Sequence, residues 1–273
     1  MSVSCLGSYA GGAEILMLSS MDLSLVIPIY KAADYAAESA QLVHGYLSNI
    51  PDISFEIIFV DDGSPDQTSA VLRALNLNHV QVLTLAQNQG KFGAIIAGMQ
   101  VAKGSCRIFT DGDIPYELEA ISYIFNLIHK RGIHVVVGDR KLPGSEYAEK
   151  LGPLRSIVTE LFTSLVRLLV AGGLFDTQCG LKGFRGDVAE ALFPMLRDRG
   201  FSGDVELLYI SLKYNLEIKR VPVRLRRSAP SSVRVMNHGL RMLRRISRLR
   251  RSWRRGFYNS EQMLRIADQR YWS

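Results

Sequence analysis

From Leu23 onward, apolar residues recur in two alternating periods. Leu23–Ile29, Phe55–Val60 and Val80–Leu85 are short runs rich in Val, Ile and Leu, the pattern of strands buried on both faces. Between and after them, Tyr35–Leu47, Gln67–Leu77 and Gly93–Ala102 place their apolar residues at helical spacing. Arg107–Thr110 predicts the end of a fourth strand, Leu118–His129 a helix and His134–Val137 a fifth strand. Such β–α alternation predicts an α/β, doubly wound, mostly parallel sheet with helices on both faces. After Asp139 the order loosens. A long helix is expected from about Leu154 to Ala171, then a Gly-rich connection into Phe175–Arg185. Helices around Val188–Leu196 and Val205–Tyr214 and a strand-like stretch over Glu217–Arg227 follow.

Composition narrows this. A chain of 273 residues, 47% hydrophobic and 22% charged, buries a sizeable core and is not disordered, collagenous or coiled coil. Cys5, Cys106 and Cys179 are odd in number and widely spaced, which speaks against a disulfide framework or a cysteine zinc site and for a reducing compartment. The most apolar stretch, Ile157–Phe175, contains Glu160 and Arg167, so no membrane span is expected. Residues 1–20 lack the basic start of a signal peptide and read as a disordered leader. The domain is expected over 21–235, with a tail over 236–273.

Charge changes the picture most. Of 33 Lys and Arg, 14 lie between Lys219 and Arg255, where there is no acid; the other 19 face all 26 acids in the rest of the chain. A mildly acidic body thus carries a basic tail, which points to phosphates on nucleic acid, lipid or substrate. At about 100° per residue, Met236, Leu240, Met242, Leu243, Ile246, Leu249, Trp253 and Phe257 share one face. Arg241, Arg244, Arg245, Arg248, Arg251 and Arg255 take the other. Residues 236–257 are therefore expected to dock on an anionic membrane surface. The plainer alternative packs the apolar face on the domain. No nucleic-acid motif accompanies the arginines, so no nucleic-acid partner is expected.

The candidate chemistry lies where strands end. In open parallel sheets, ligands bind beyond the carboxyl ends of the strands, where strand order reverses. The first strand ends in Pro28-Ile29-Tyr30, the second in Asp61-Asp62-Gly63-Ser64, the fourth in Asp111-Gly112-Asp113. One Asp after a strand is usually a turn or cap residue. Two carboxylates in D-x-D spacing can share a divalent ion with phosphate oxygens, with Gly112 leaving room for the ligand. Asp61 or Asp62 can accept hydrogen bonds from a nucleobase or ribose. Together these suggest a nucleoside diphosphate and a metal.

These segments, with Asn88-Gln89-Gly90-Lys91, resemble the large inverting glycosyltransferase family two, with its GT-A fold. Asp176-Thr177-Gln178-Cys179-Gly180-Leu181-Lys182-Gly183-Phe184-Arg185 and Gly203-Asp204-Val205-Glu206-Leu207-Leu208-Tyr209 are similar to the dolichyl-phosphate and polyprenyl-phosphate glucosyltransferases. The resemblance spans about residues 22–235. It implies an enzyme that moves a sugar, glucose as first expectation, from a nucleotide sugar (UDP over GDP) to polyprenyl phosphate. Pro28, Tyr30, Asp61, Asp62, Lys91 and Asp111 would bind the donor, and Asp111 and Asp113 would hold Mg²⁺ or Mn²⁺. The chain departs from the family at Lys31-Ala32-Ala33-Asp34, where an acid commonly follows the Tyr sooner, and at Ile114-Pro115-Tyr116 beside the donor sugar.

A phosphate acceptor is largely dianionic at neutral pH, with a second pKa of about 6. It attacks without a general base and needs cations to hold it in line. By family analogy Arg140, Arg155 and Arg234 supply them. Asp113, Asp204 and Arg140 are the expected catalytic group, with Asp204 positioning rather than taking a proton. Alternatives are a hydroxyl on a soluble acceptor, with Asp204 as base, and a non-catalytic membrane-binding scaffold. The expected location is cytoplasmic, peripheral on the membrane.

Overall fold

The computed structural model describes residues 21–145, 179–200, 202–226 and 247–269. Its first half follows the predicted alternation: β1 (Leu23–Ile29), α1 (Ala36–Ser48), β2 (Phe55–Asp61), α2 (Thr68–Ala74), β3 (Val80–Thr84), α3 (Lys91–Val101), β4 (Cys106–Phe109), α4 (Glu119–Arg131) and β5 (Val135–Asp139). Then come β6 (Lys182–Arg185), α5 (Gly186–Leu192), a 3-10 turn at Phe193–Met195, α6 (Gly203–Lys213) and β7 (Ile218–Pro222). A helix over 247–254, α7, and α8 (Glu261–Asp268) close the described chain. The helix expected over Leu154–Ala171, the leader 1–20, Arg155, Arg234 and the first part of the tail lie outside the described residues.

The seven strands are ordered β3-β2-β1-β4-β6-β5-β7. β1 pairs in parallel with β2 and β4, and β5 with β7. One strand departs from the expected parallel pattern: β6 is antiparallel to both β4 and β5. Strand order reverses between β1 and β4, so the loops after Ile29 and Phe109 open onto a common crevice.

Every residue of β1 and β2 is buried, and alternate residues serve opposite cores. Val26, Ile58, Val60 and Phe109 join one core with α3, α5, α6 and the C-terminal helices. Leu25, Ile27, Ile57 and Phe59 join the other with α1 and α4. α4 stops where Gly132 takes a left-handed φ of 66° and returns its N–H to the Ile128 carbonyl. His129, Lys130 and Arg131 in its last turn suit the negative end of the helix dipole.

In the tail, Leu249, Met263, Ile266 and Tyr258 are buried in the first core, with Trp253 packed against it. Trp253 stands edge-on to Tyr209 and Tyr214 and stacks on Tyr258, with ring centroids 6.0, 5.5 and 6.2 Å apart. Leu249 and Trp253, assigned from sequence to a lipid-facing stripe, thus bury their apolar surface on the domain, as packing lets them leave water without a bilayer. Among the described residues no helix is long and apolar enough to cross a membrane.

Candidate active site

The crevice is built by loops stitched to one another. After β1 the backbone turns at Lys31, whose φ is 52°. The Lys31 N–H donates to Ser64 Oγ (2.9 Å) and the Ala32 N–H to Thr68 Oγ1 (2.8 Å). Asp61 accepts from the Ser64 N–H at 3.0 Å and from the Ser69 hydroxyl. Its buried carboxylate thus shapes the Asp-Asp-Gly-Ser turn. Pro28 is buried in β1, while Tyr30 at the mouth is 42% exposed, with the Lys31 ammonium 5.4 Å from its ring centre.

Asp62 reaches sideways. Its two oxygens accept from the Gln89 N–H (2.7 Å) and the Gly90 N–H (2.9 Å). It therefore fixes the Asn88–Lys91 segment. Burial and the neighbouring Asp61 charge push its carboxyl above the usual range despite these two donors. α3 begins at Lys91, and its Phe92 and Gly93 N–H groups donate to the Arg199 carbonyl (3.0 and 3.2 Å). The start of α3 is thereby capped by protein, and the positive group offered to the crevice is Lys91 itself.

Lys91 sits at the middle of a line of charged groups. Its ammonium is in ion-pair contact with Asp111. Burial alone would lower its pKa, but Asp111 and then Asp204 outweigh that and hold it above the ordinary lysine value. Asp204, in the first turn of α6, is 4% exposed and accepts from Lys182 Nζ at 2.5 Å. Lys182, in β6, is 0% exposed and also donates to the Cys179 carbonyl at 2.6 Å. Burial raises the Asp204 carboxyl, with Lys182 and Lys91 opposing. On the outer side Asp113 is exposed, and partial burial and the Asp111 charge raise its carboxyl too. The order is Asp113, Asp111, Lys91, Asp204, Lys182, running from solvent to core.

Two glycines make this possible. A Cβ on Gly180 would fall on the Asp111 carboxyl, 2.0 Å from Oδ2, so the bare glycine lets the 179–181 segment pass without moving that carboxylate. Gly112 also answers a demand of the fold. A Cβ there would lie 2.8 Å from Ile29 Cγ2 and 2.9 Å from the Pro28 carbonyl. Its bareness lets the D-x-D loop lie on the end of β1. Next to Asp113, the β-branched Ile114 takes φ 46°, a conformation that costs energy and clusters at functional sites. It is held by its own N–H to the Asp111 carbonyl at 3.1 Å. A bridge between Tyr116 and Leu225 holds the segment beyond it.

Arg140 follows β5. Asp139 turns the chain there, accepting from the Lys141 N–H at 2.8 Å and standing 3.0 Å from Arg220 Nε. Arg140 acts on Tyr116, its charge opposing the burial that lifts the phenol. Tyr116 Oη in turn accepts from the Gly180 N–H at 3.3 Å. The structure thus brings Asp61, Asp62, Lys91, Asp111, Asp113, Asp204, Tyr30 and Arg140 to the carboxyl ends of the strands. Cys179 is buried and in no disulfide, as expected of a small core residue.

Sequence reasoning assigned no role to Lys182 or Glu206. Each is a lone charge in an apolar run, Leu181-Lys182-Gly183-Phe184 and Val205-Glu206-Leu207. That setting was the available signal, because a charge is seldom buried without a partner.

Asp111 and Asp113 offer hard carboxylate oxygens. Asp113 is open to solvent and carries the repulsion of its neighbour, which a divalent cation would relieve. Among the described residues no group of three or more His, Cys, Asp or Glu is placed to hold a metal ion by itself. The pair therefore suits an ion that completes its shell with phosphate oxygens and water, as Mg²⁺ does.

A doubly wound sheet with paired carboxylates and a lysine at its switch point is the architecture of a GT-A nucleotide-sugar enzyme. The Glycosyl transferase family 2 profile matches residues 24–193, and the chain belongs to that family. It is a glycosyltransferase. It is 28% identical over 245 residues to dolichyl-phosphate beta-glucosyltransferase of Dictyostelium discoideum, covering 85% of this chain and 75% of that one. With the Homo sapiens protein of that name the identity is 30% over 215 residues, 74% and 66% of the two chains. Glucosyl-3-phosphoglycerate synthase of Mycobacterium tuberculosis, solved with Mn²⁺, UDP-glucose and phosphoglyceric acid, superposes with a TM-score of 0.60 at 19% identity. The match covers 85% of this chain and 79% of that one and is a likeness of fold.

Proposed function

We propose that the protein transfers glucose from UDP-glucose to the phosphate of a polyprenol of the dolichyl type, inverting the anomeric centre. One observation carries the acceptor class: Asp204, the residue a hydroxyl acceptor would need as its base, is buried and already bonded to Lys182. A phosphate dianion attacks C1 without a base. The bond from C1 to the acceptor oxygen forms as the bond from C1 to the diphosphate breaks, and UDP leaves with that electron pair. The relatives named above support glucose and dolichyl phosphate, and the neighbour's UDP-glucose complex agrees with a UDP rather than a GDP donor.

In this reading Tyr30, Pro28 and Asp61 border the nucleoside pocket, and Asp62 keeps the Gln89–Lys91 segment in place. Lys91 balances the diphosphate, and Arg140, Arg155 and Arg234 hold the acceptor phosphate. Asp111 and Asp113 would hold Mg²⁺ or Mn²⁺, which when bound neutralises the diphosphate and eases its departure. Asp204 positions Lys91 through charge. The protein works as a peripheral enzyme on the cytoplasmic face of a membrane, drawn by the arginines of its tail.

The test is release of nucleotide from a panel of UDP- and GDP-sugars with Mn²⁺, with and without a short-chain polyprenyl phosphate in detergent. UDP release from UDP-glucose should require the lipid phosphate, and Asp111→Ala should lower it by roughly 100-fold or more. Asp204→Asn, which removes the charge that positions Lys91, should lower the rate without abolishing it. Its abolition in a folded variant would favour a hydroxyl acceptor with Asp204 as base, and silence with every donor would favour a non-catalytic scaffold.

A further inference from the structure

On the far side of Lys91 from the crevice, a line of hydrogen bonds runs from the C-terminal helices to the first turn of α3. Tyr258, buried between α7 and α8, donates its hydroxyl to Glu206 Oε1 at 2.6 Å. The other Glu206 oxygen accepts from the Arg197 N–H (3.0 Å) and the Asp198 N–H (2.7 Å). Asp198 Oδ1 then accepts from the Gly200 N–H at 2.9 Å. Between these anchors the Arg199 carbonyl receives the Phe92 and Gly93 N–H groups of α3. The Arg199 side chain also donates to Gln89 Oε1 at 3.3 Å, on the residue whose own backbone N–H Asp62 holds.

Packing does not make these bonds redundant. A cleft of about 450 Å³ is lined by Arg197, Arg199, Glu206, Arg248, Leu249 and Tyr258. The 197–200 backbone therefore borders open space on that side, with Glu206 holding its start through the Arg197 and Asp198 N–H groups and the Gly203 N–H holding its end at the Gly200 carbonyl (3.1 Å). Tyr258 is itself fixed: its carbonyl accepts from the Tyr214 hydroxyl at 2.5 Å, which accepts from the Ser260 N–H at 2.9 Å.

We propose that Glu206 and Tyr258 are positioning residues for the transfer reaction: through Arg197–Gly200 they set the first turn of α3 and so the placing of Lys91 against Asp111. The C-terminal segment is then a working part of the active centre, not an appendage to it. The proposal rests on the assignment of Lys91 to the donor diphosphate. Glu206 also stands two residues after Asp204 on α6, so one helix anchors Lys91 by charge and by backbone.

The test uses the full chain with Tyr258→Phe, which keeps the ring against Trp253, and Glu206→Gln. Three quantities are read: amide hydrogen exchange at Phe92 and Gly93, the melting midpoint, and kcat and KM for UDP-glucose. Both variants should speed exchange at those amides by about ten-fold, a factor corresponding to one 1.4 kcal/mol step in an opening equilibrium. Each should raise KM for the donor about five-fold, within the usual range of coupling between linked residues. Lys91→Ala should absorb the effect, so that Tyr258→Phe adds little to it. Unchanged exchange in a folded Tyr258→Phe protein overturns the proposal, as do independent, multiplying effects of Tyr258→Phe and Lys91→Ala. If Lys91→Ala alone leaves donor kinetics intact while exchange still responds, the donor assignment fails rather than the hydrogen-bond line, and the proposed role falls with it.

Discussion

Asp62 shows how a motif residue can be legible while its task is not. Two consecutive acids after a β-rich run mark a strand end, but nothing local tells which faces ligand and which faces protein. The structure divides them by geometry. Asp61 closes its own turn, and Asp62 crosses to bind the N–H groups of Gln89 and Gly90. Asp62→Ala would leave both donors to water, at a cost of about 1–3 kcal/mol measured by denaturant unfolding, and would weaken donor binding through Lys91. Its pH dependence follows from the raised carboxyl. The native state then holds this proton more tightly than the unfolded chain does. The group's contribution to stability falls as pH rises from the unfolded value of about 3.9 through the folded value, and is level above it. The stability advantage of the native protein over Asp62→Asn should accordingly shrink across that window. An advantage that instead grows with pH would show that the two N–H donors outweigh burial.

At the scale of elements, β1, β2, β4 and β5 were readable as short runs buried on both faces, and the half-buried edge strand β3 was readable from its Val80, Val82 and Leu83. β6 was not. Its four residues, Lys182-Gly183-Phe184-Arg185, carry neither alternation nor a continuous apolar run, and its antiparallel pairing between β4 and β5 is a long-range event. That insertion aims Lys182 at Asp204 and runs Gly180 past Asp111. Half of the charge chain thus depends on an element that local pattern does not announce. Lys182→Met would leave Asp204 buried and without its ammonium partner, a change that typically costs about 3–5 kcal/mol. Lys182→Met with Asp204→Asn removes both charges and should recover much of that loss. Denaturant midpoints of the two single variants and the double variant measure the coupling. Additive effects would mean that the two groups act independently, contrary to their 2.5 Å contact.

For the molecule as a whole, the sequence carried the charge asymmetry clearly but left open where the tail's apolar side is spent. Periodicity defines a face, and water is excluded equally well by a bilayer or by a domain. In the described part of the tail the domain takes it: Leu249, Met263 and Ile266 are buried, and Trp253 sits among Tyr209, Tyr214 and Tyr258. What 247–257 presents outward is Arg248, Arg250, Arg251, Arg254, Arg255 and the half-exposed Phe257. Such a surface attracts anionic headgroups by charge, at roughly 1 kcal/mol per basic residue close to the membrane, rather than by inserting a greasy face. Association with vesicles containing anionic lipid should therefore collapse as salt shortens the Debye length from about 10 Å at 0.1 M to about 3 Å at 1 M. Neutral vesicles should bind little. Arg250→Glu with Arg254→Glu should weaken sedimentation with anionic vesicles while leaving the fold intact. Trp253→Ala should lower the melting midpoint far more than the vesicle affinity, since its ring supports the core. Retention on vesicles at high salt, or loss of binding in a folded Trp253→Ala protein, would mean that the tail leaves the domain and inserts its apolar side.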